Sequence, residues 1–157
     1  MPQKILIALD GSEISSKVVE FAVKTVSENA VIMLFSIISN VDLLCELDPP
    51  FIKGIVSKQY PDYCQTIQNE KRRILEQTLE KGRQIFLDAG FEAGSISTKI
   101  EIMKFDIALT IIEEARNSYD LIVLGRRGHS GLKKFLLGSV SQKVLQAAKD
   151  ISVLIVE

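Results

Sequence analysis

Five short segments with the apolar patterning of β-strands divide this chain of 157 residues, and they constrain its fold more than any other feature. Four are nearly continuous apolar runs, which are typical of strands buried on both faces. The fifth alternates apolar and polar residues strictly, as an edge strand or a strand with one solvated face does. In chain order the predicted strands are Lys4–Leu9, Val31–Ile38, the alternating Ser95–Met103, Asp120–Leu124 and Ile151–Val156.

Segments with helical periodicity lie between these strands. Strands that alternate with helices form a mostly parallel sheet with helices on both faces. The sequence therefore predicts an α/β fold, a three-layer sandwich around a five-stranded parallel sheet. The predicted helices are Glu13–Ser27 capped by Ser12, a long helix striped from Ile74 and ending near Gly90, one capped by Asp106, and one from the capping box Ser139–Gln142 to Lys149.

The length of the chain fits one domain, residues 1–157, because domains usually span about 100–200 residues. Asn40–Asn69, which contains three of the four prolines, is predicted to be irregular; connections this long are functional or disordered. Cys45 and Cys64 have no metal-ligand spacing, and we expect free thiols in a reducing cytoplasm. No apolar run approaches the roughly 18 residues of a membrane helix, so no membrane partner is expected.

The net charge of −1 excludes a bulk nucleic-acid binder, but it conceals a local excess of positive charge. Gly125–Lys149 contains six cationic residues and no acid. A positive field of this kind in an acidic protein favours a small anion, and the alternative is a solvated basic helix face. The six residues are Arg126, Arg127, Lys133, Lys134, Lys143 and Lys149.

The carboxyl ends of the first and fourth strands carry the residues best suited to a ligand. Asp10 follows the first strand, and ligands of open parallel sheets bind beyond such ends. After the fourth strand, Gly125 and Gly128 lack Cβ atoms where backbone must approach a ligand. Gly138 and Ser139 begin a helix, whose N–H groups and dipole attract an anion. The alternative is two glycine turns and an ordinary serine cap. The basic residues placed to screen a polyphosphate are Arg126, Arg127 and His129.

The spacing Gly125-x2-Gly128-x9-Gly138-Ser139 resembles the nucleotide-binding signature of the universal stress protein family, ATP-binding type. Ile5–Ser12 and Ser152–Val156 resemble that family's first strand and turn and its closing strand. The resemblance implies a Rossmann-like sheet with strand order 3-2-1-4-5. It also implies an adenine nucleotide such as ATP, with or without Mg²⁺, across the crevice between strands 1 and 4.

The resemblance implies a role for each matching residue. Asp10 would hold the ribose or base, with Ala8 and Ile37 beside the adenine. Asp10 could instead close an Asx-turn, and Ala8 and Ile37 could be plain core. Arg127 either strengthens phosphate binding or faces water. The residues implied for the sugar and phosphates are Leu124, Gly125, Gly128, Gly138, Ser139 and Val140.

Three functions remain open: an ATP-binding stress-response regulator acting through conformation or partners, a slow ATPase, and a dimeric docking module with little nucleotide binding. No P-loop is present, and His129 has no identifiable orienting partner, so no catalytic residue is assigned. No metal ligand is assigned either, since any Mg²⁺ would rest on phosphate oxygens and water. The resemblance implies a homodimer through strand 152–156, whose apolar edge is otherwise unprotected. The alternative is a monomer in which part of Asn40–Asn69 folds over that edge.

Overall fold

The computed structural model describes residues 1–40, 63–126 and 137–157. Five strands form one sheet in the order β3-β2-β1-β4-β5, and every neighbouring pair is parallel. This confirms the predicted fold class and strand order. The strands are β1 (Lys4–Ala8), β2 (Val31–Ile38), β3 (Ile96–Ile102), β4 (Leu121–Gly125) and β5 (Ser152–Val156).

Helices cover both faces of the sheet. Strand side chains alternate between faces, so Ile5 and Ile7 of β1 pack towards the first two helices while Leu6 packs towards the last two. Each face has its own buried cluster, centred on Phe86 on one side and on Phe35 on the other. The helices are α1 (Ile14–Thr25), α2 (Tyr63–Asp88), α3 (Ile107–Ala115) and α4 (Ser139–Ala147), with a 3-10 turn at Ala93–Ser95.

Two predicted helix caps are wrong and one is confirmed. The N-cap of α1 is Glu13, whose side chain makes no capping hydrogen bond, while the N–H and hydroxyl of Ser12 both donate to the carboxylate of Asp10. Ser139 is the first residue of α4, not its cap; the cap is Gly138, in extended conformation. Asp106 does cap α3, where its Oδ1 accepts the N–H groups of residues 108 and 109 at 2.8 and 3.3 Å.

The long helix α2 begins at Tyr63, so the last seven residues of the segment predicted as irregular are helical. Its first turns carry no apolar stripe. Local pairs stabilise them: Gln65 donates to Asn69 at 3.0 Å, and Arg73 pairs with Glu70 at 2.6 Å. Residues 41–62, and the side chains of both cysteines, lie outside the described part of the chain.

The end of α2 and the sheet edges follow the sequence pattern. Gly90 has a φ of +95°, which suits the glycine that terminates a helix. The alternating segment forms β3 at one edge of the sheet, and β5 forms the other edge. Within the described ranges, no helix combines the length and apolar character needed to cross a membrane.

Candidate functional site

A cavity of about 260 Å³ lies at the carboxyl ends of β1 and β4. The two strands are direct neighbours, and Ala8 is in register with Leu124. This is the point where the strand order reverses, the usual position for a ligand in an open parallel sheet. The volume is close to the lower end of the range for ligand pockets, roughly 300 Å³.

The structure brings together the predicted site residues that it describes. They come from β1 and the turn after it, from β2, from the end of β4 and from the start of α4. Arg127 and Gly128 lie outside the described ranges. The eight predicted residues that border the cavity are Ala8, Asp10, Ile37, Leu124, Gly125, Gly138, Ser139 and Val140.

The body of the cavity is apolar and includes side chains that the sequence reasoning missed. Phe35 lies two residues before Ile37 on β2, so both point to the same face. Because side chains alternate along a strand, the prediction of Ile37 as a site residue could also have identified Phe35. Ile107 and Ile111, one helical turn apart, bring α3 to the cavity. Only the packing of α3 against the sheet reveals this contribution.

A charged side chain, that of Lys99, also lies near the ring of Phe35. The ammonium of Lys99 lies 5.9 Å from the ring centroid, within the range of a cation–π interaction. Its hydrogen bond to Glu114, at 2.7 Å, raises the pKa of Lys99 despite partial burial, and Glu101 at 3.1 Å adds a smaller increase. This network fixes a cation beside the aromatic wall of the cavity.

Asp10 forms one polar end of the cavity. Gly11 turns the chain there with a φ of +79°. The Oδ1 atom of Asp10 accepts the N–H of Ser12 at 3.0 Å, its hydroxyl at 2.5 Å, and the hydroxyl of Ser15 at 3.2 Å. The Asx-turn considered for Asp10 is therefore present, and the same residue borders the cavity.

The N-terminus of α4 forms the other polar end. Gly138 donates its own N–H to the carbonyl of Arg126 at 2.9 Å. The Ser141 hydroxyl donates to that carbonyl at 2.8 Å, and also lies 3.1 Å from the carbonyl of Gly138. The helix itself supplies no acceptor for the N–H groups of residues 139–141, and its dipole adds partial positive charge. This end can bind an anion.

Of the three cations in the basic segment that the structure describes, two are paired with acids. Arg126 forms an ion pair with Glu157, the residue after β5. Lys143 donates to Oδ2 of Asp106 at 2.6 Å. That bond, together with the N–H groups capping α3, holds the pKa of Asp106 below its ordinary value despite partial burial. Both pairings reduce the positive charge that Arg126 and Lys143 offer to a ligand.

Comparison with known proteins agrees with this geometry. The sequence profile described as the universal stress protein family matches residues 1–157. The chain is 33% identical over 148 residues to universal stress protein YxiE of Bacillus subtilis, covering 93% of each chain. It is 34% identical over 167 residues to stress response protein NhaX of the same organism, covering 98% of this chain and 97% of that one.

Solved structures share the fold. UspA from Lactobacillus plantarum superposes with a TM-score of 0.75 at 17% identity, covering 99% of this chain and 97% of that one. A universal stress protein in complex with cAMP gives 0.66 at 22% identity, with 99% and 97% covered. The Archaeoglobus fulgidus protein in complex with dAMP gives 0.61 at 17%, with 99% and 98% covered. On the whole-chain profile and the two Bacillus relatives, this chain belongs to the universal stress protein family.

Proposed function

We propose that this protein binds ATP in the cavity at the ends of β1 and β4, and that it acts as a stress-response regulator through nucleotide-dependent conformation or partner binding. One observation carries the proposal: an apolar cavity has a carboxylate at one end and a helix N-terminus at the other. A nucleotide presents the same order of chemistry, with a flat base, a sugar rich in hydroxyl groups and an anionic phosphate chain.

The polar ends suggest the orientation of the ligand. A carboxylate repels phosphate and accepts hydrogen bonds, so the nucleoside belongs beside Asp10. The N–H groups at the start of α4 attract anions, so the phosphates belong beside Ser139 and Val140. Between them, Ala8, Ile37 and Leu124 offer apolar surface to the base and sugar.

Gly138 contributes by lacking a side chain. Its N–H already bonds to the chain, so it is not a phosphate ligand through that group. Because Gly138 is the N-cap of α4, we expect a branched side chain at this position to obstruct the approach of phosphate to the first turn of that helix. The relatives solved with cAMP and dAMP support an adenine nucleotide as the ligand. We extend this to ATP on the signature spacing of the glycines.

Calorimetric titration with ATP tests the proposal. Gly138→Val should abolish measurable binding and leave the fold intact, because φ of −62° and ψ of 156° suit valine. Gly94→Val is the matched control: it makes the same change at a glycine where an added Cβ meets nothing within 4 Å. Equal ATP affinity in the two folded variants would refute the phosphate assignment.

A regulator does not need rapid turnover, and we propose that chemistry at this site is absent or very slow. Among the described residues, no group of three or more His, Cys, Asp or Glu side chains is placed to hold a metal ion. Any Mg²⁺ would then depend on phosphate oxygens and water, which supply no water-activating base.

We further propose a homodimer through β5. Ser152 donates its N–H to Asp120, and Val156 accepts the N–H of Arg126. Backbone groups of a parallel strand alternate in direction, so residues 152, 154 and 156 face β4 while Val153 and Ile155 present theirs to the open edge. Val153–Val156 lacks the lysine, proline or bulge that usually protects an edge. A two-fold contact between copies would cover it.

A further inference from the structure

Ser15 is a buried hydroxyl at the nucleoside end of the cavity. It is the second residue of α1 and is 4% exposed. It borders the main cavity on one side and a second groove between α1 and α2 on the other. Ser12 borders only that groove. Of the two serines whose hydroxyls donate to Asp10, Ser15 is therefore the one on the ligand side.

At this corner of the cavity, formed by Ser15 and Asp10, the side chains can accept hydrogen bonds from a ligand but cannot donate them. A serine hydroxyl has a single proton, and Ser15 donates it to Oδ1 of Asp10 at 3.2 Å. The Ser15 oxygen then has only lone pairs to offer a ligand, and the Asp10 carboxylate likewise only accepts hydrogen bonds. A ligand in this corner must therefore present hydrogen-bond donors. A ligand group that only accepts would place its lone pairs against those of the buried Ser15 oxygen and of the Asp10 carboxylate, which is unfavourable.

We propose that Ser15 is a positioning residue that orients the Asp10 carboxylate from the cavity side, making this corner selective for nucleosides that donate hydrogen bonds to it. The inference rests on the proposed function. It adds the residue that determines the selectivity and the chemical property that is selected: a free sugar hydroxyl or the 6-amino group of adenine.

The first experiment compares adenosine with two analogues, each lacking one class of donor. 2′,3′-Dideoxyadenosine lacks the 2′- and 3′-hydroxyls of the sugar, and purine riboside lacks the 6-amino group. The wild type should bind adenosine about tenfold or more tightly than at least one analogue, since hydrogen bonds to charged groups are strong. Ser15→Ala should reduce this preference at least threefold. The affinity for inorganic triphosphate should not change.

A matched control removes a different buried hydroxyl. Ser36 is 1% exposed, donates to the carbonyl of Leu9 at 2.7 Å, and does not border the cavity. Ser36→Ala should lower the melting temperature and leave the preference for adenosine unchanged. A loss of preference in both variants would indicate general loosening and would overturn the role of Ser15.

A double-mutant comparison tests whether Ser15 acts through Asp10. Asp10→Ala should remove the preference, and adding Ser15→Ala should reduce it no further. If the double variant instead loses the sum of both effects, Ser15 does not act through Asp10 and the inference fails. The outcomes distinguish this inference from the proposed function. If ATP binds but Ser15→Ala prefers adenosine over the analogues as strongly as the wild type does, this inference alone is overturned. Absence of any binding of adenosine or ATP overturns both.

Discussion

Replacing Asp106 by alanine tests how the two helices beside the cavity are held together. The two oxygens of this carboxylate have different tasks. Oδ1 accepts the first N–H groups of α3, and Oδ2 accepts the ammonium of Lys143 on α4. Ile107, the next residue, and Ser139, one turn before Lys143, both border the cavity. The pair therefore joins α3 to the helix proposed to bind phosphate.

The expected magnitudes follow from exposure and geometry. Loss of an Asp N-cap costs about 0.5–2 kcal/mol of unfolding free energy. The side chain of Lys143 is 58% exposed and that of Asp106 is 30% exposed, so their ion pair contributes no more than about 1 kcal/mol. Asp106→Ala loses both and should destabilise by about 0.5–3 kcal/mol. Asp106→Asn keeps the capping oxygen and should lose only the contribution of the ion pair. The single variant Lys143→Gln should lose the same contribution.

Urea unfolding at several pH values is the assay. The lowered pKa of Asp106 means that the folded state holds its proton less tightly than the unfolded state does. Its contribution to stability is therefore present at neutral pH and is lost as the pH falls through the depressed native pKa. Wild type and Asp106→Asn should converge in acid. A gap that widens on acidification, or Asp106→Ala as stable as wild type at pH 7, would refute the reasoning.

Two further expectations concern turnover and assembly. Phosphate release at saturating ATP and Mg²⁺ should stay far below about 1 s⁻¹, the lower end for typical enzymes; multiple turnover that disappears in Gly138→Val would show an ATPase instead. Light scattering should give twice the monomer mass of 17.5 kDa for the wild type. Ile155→Pro, which deletes an outward N–H, should be monomeric, whereas Ile155→Ala should keep that donor and dimerise. A wild-type monomer at all concentrations excludes the dimer.

The strands were predictable because their environment leaves a simple signal. A strand with helices on both faces needs apolar side chains at nearly every position, and Val31–Ile38 was predicted with both ends correct. The edge strand β3 needs only one apolar face and alternates accordingly. Helix beginnings depend on competing local hydrogen bonds. Serine is a common capping residue, but the N–H and hydroxyl of Ser12 both donate to Asp10, two residues away.

Site residues could be predicted where they follow from strand ends or glycine spacing. They could not be predicted where they reach the cavity only through the packing of helices. Asp10, Gly125 and Gly138 follow from strand ends and glycine spacing. Ile107 depends on where α3 settles against the sheet, which no local pattern encodes. The pairing of Lys143 with Asp106, 37 residues away, also comes only from the fold. A count of charges along the sequence cannot reveal such a pairing.

The pairing of β1 with β4 at the centre of the sheet has a consequence for folding. Lys4 donates its N–H to the carboxylate of Asp120, across 116 residues of chain. Contacts this distant form slowly, because the chain between them must lose entropy before they stabilise anything. The cavity lies on this seam and cannot exist until the seam is closed. A ligand bound there interacts only with the fully assembled chain, so it shifts the equilibrium away from every partly folded form at once.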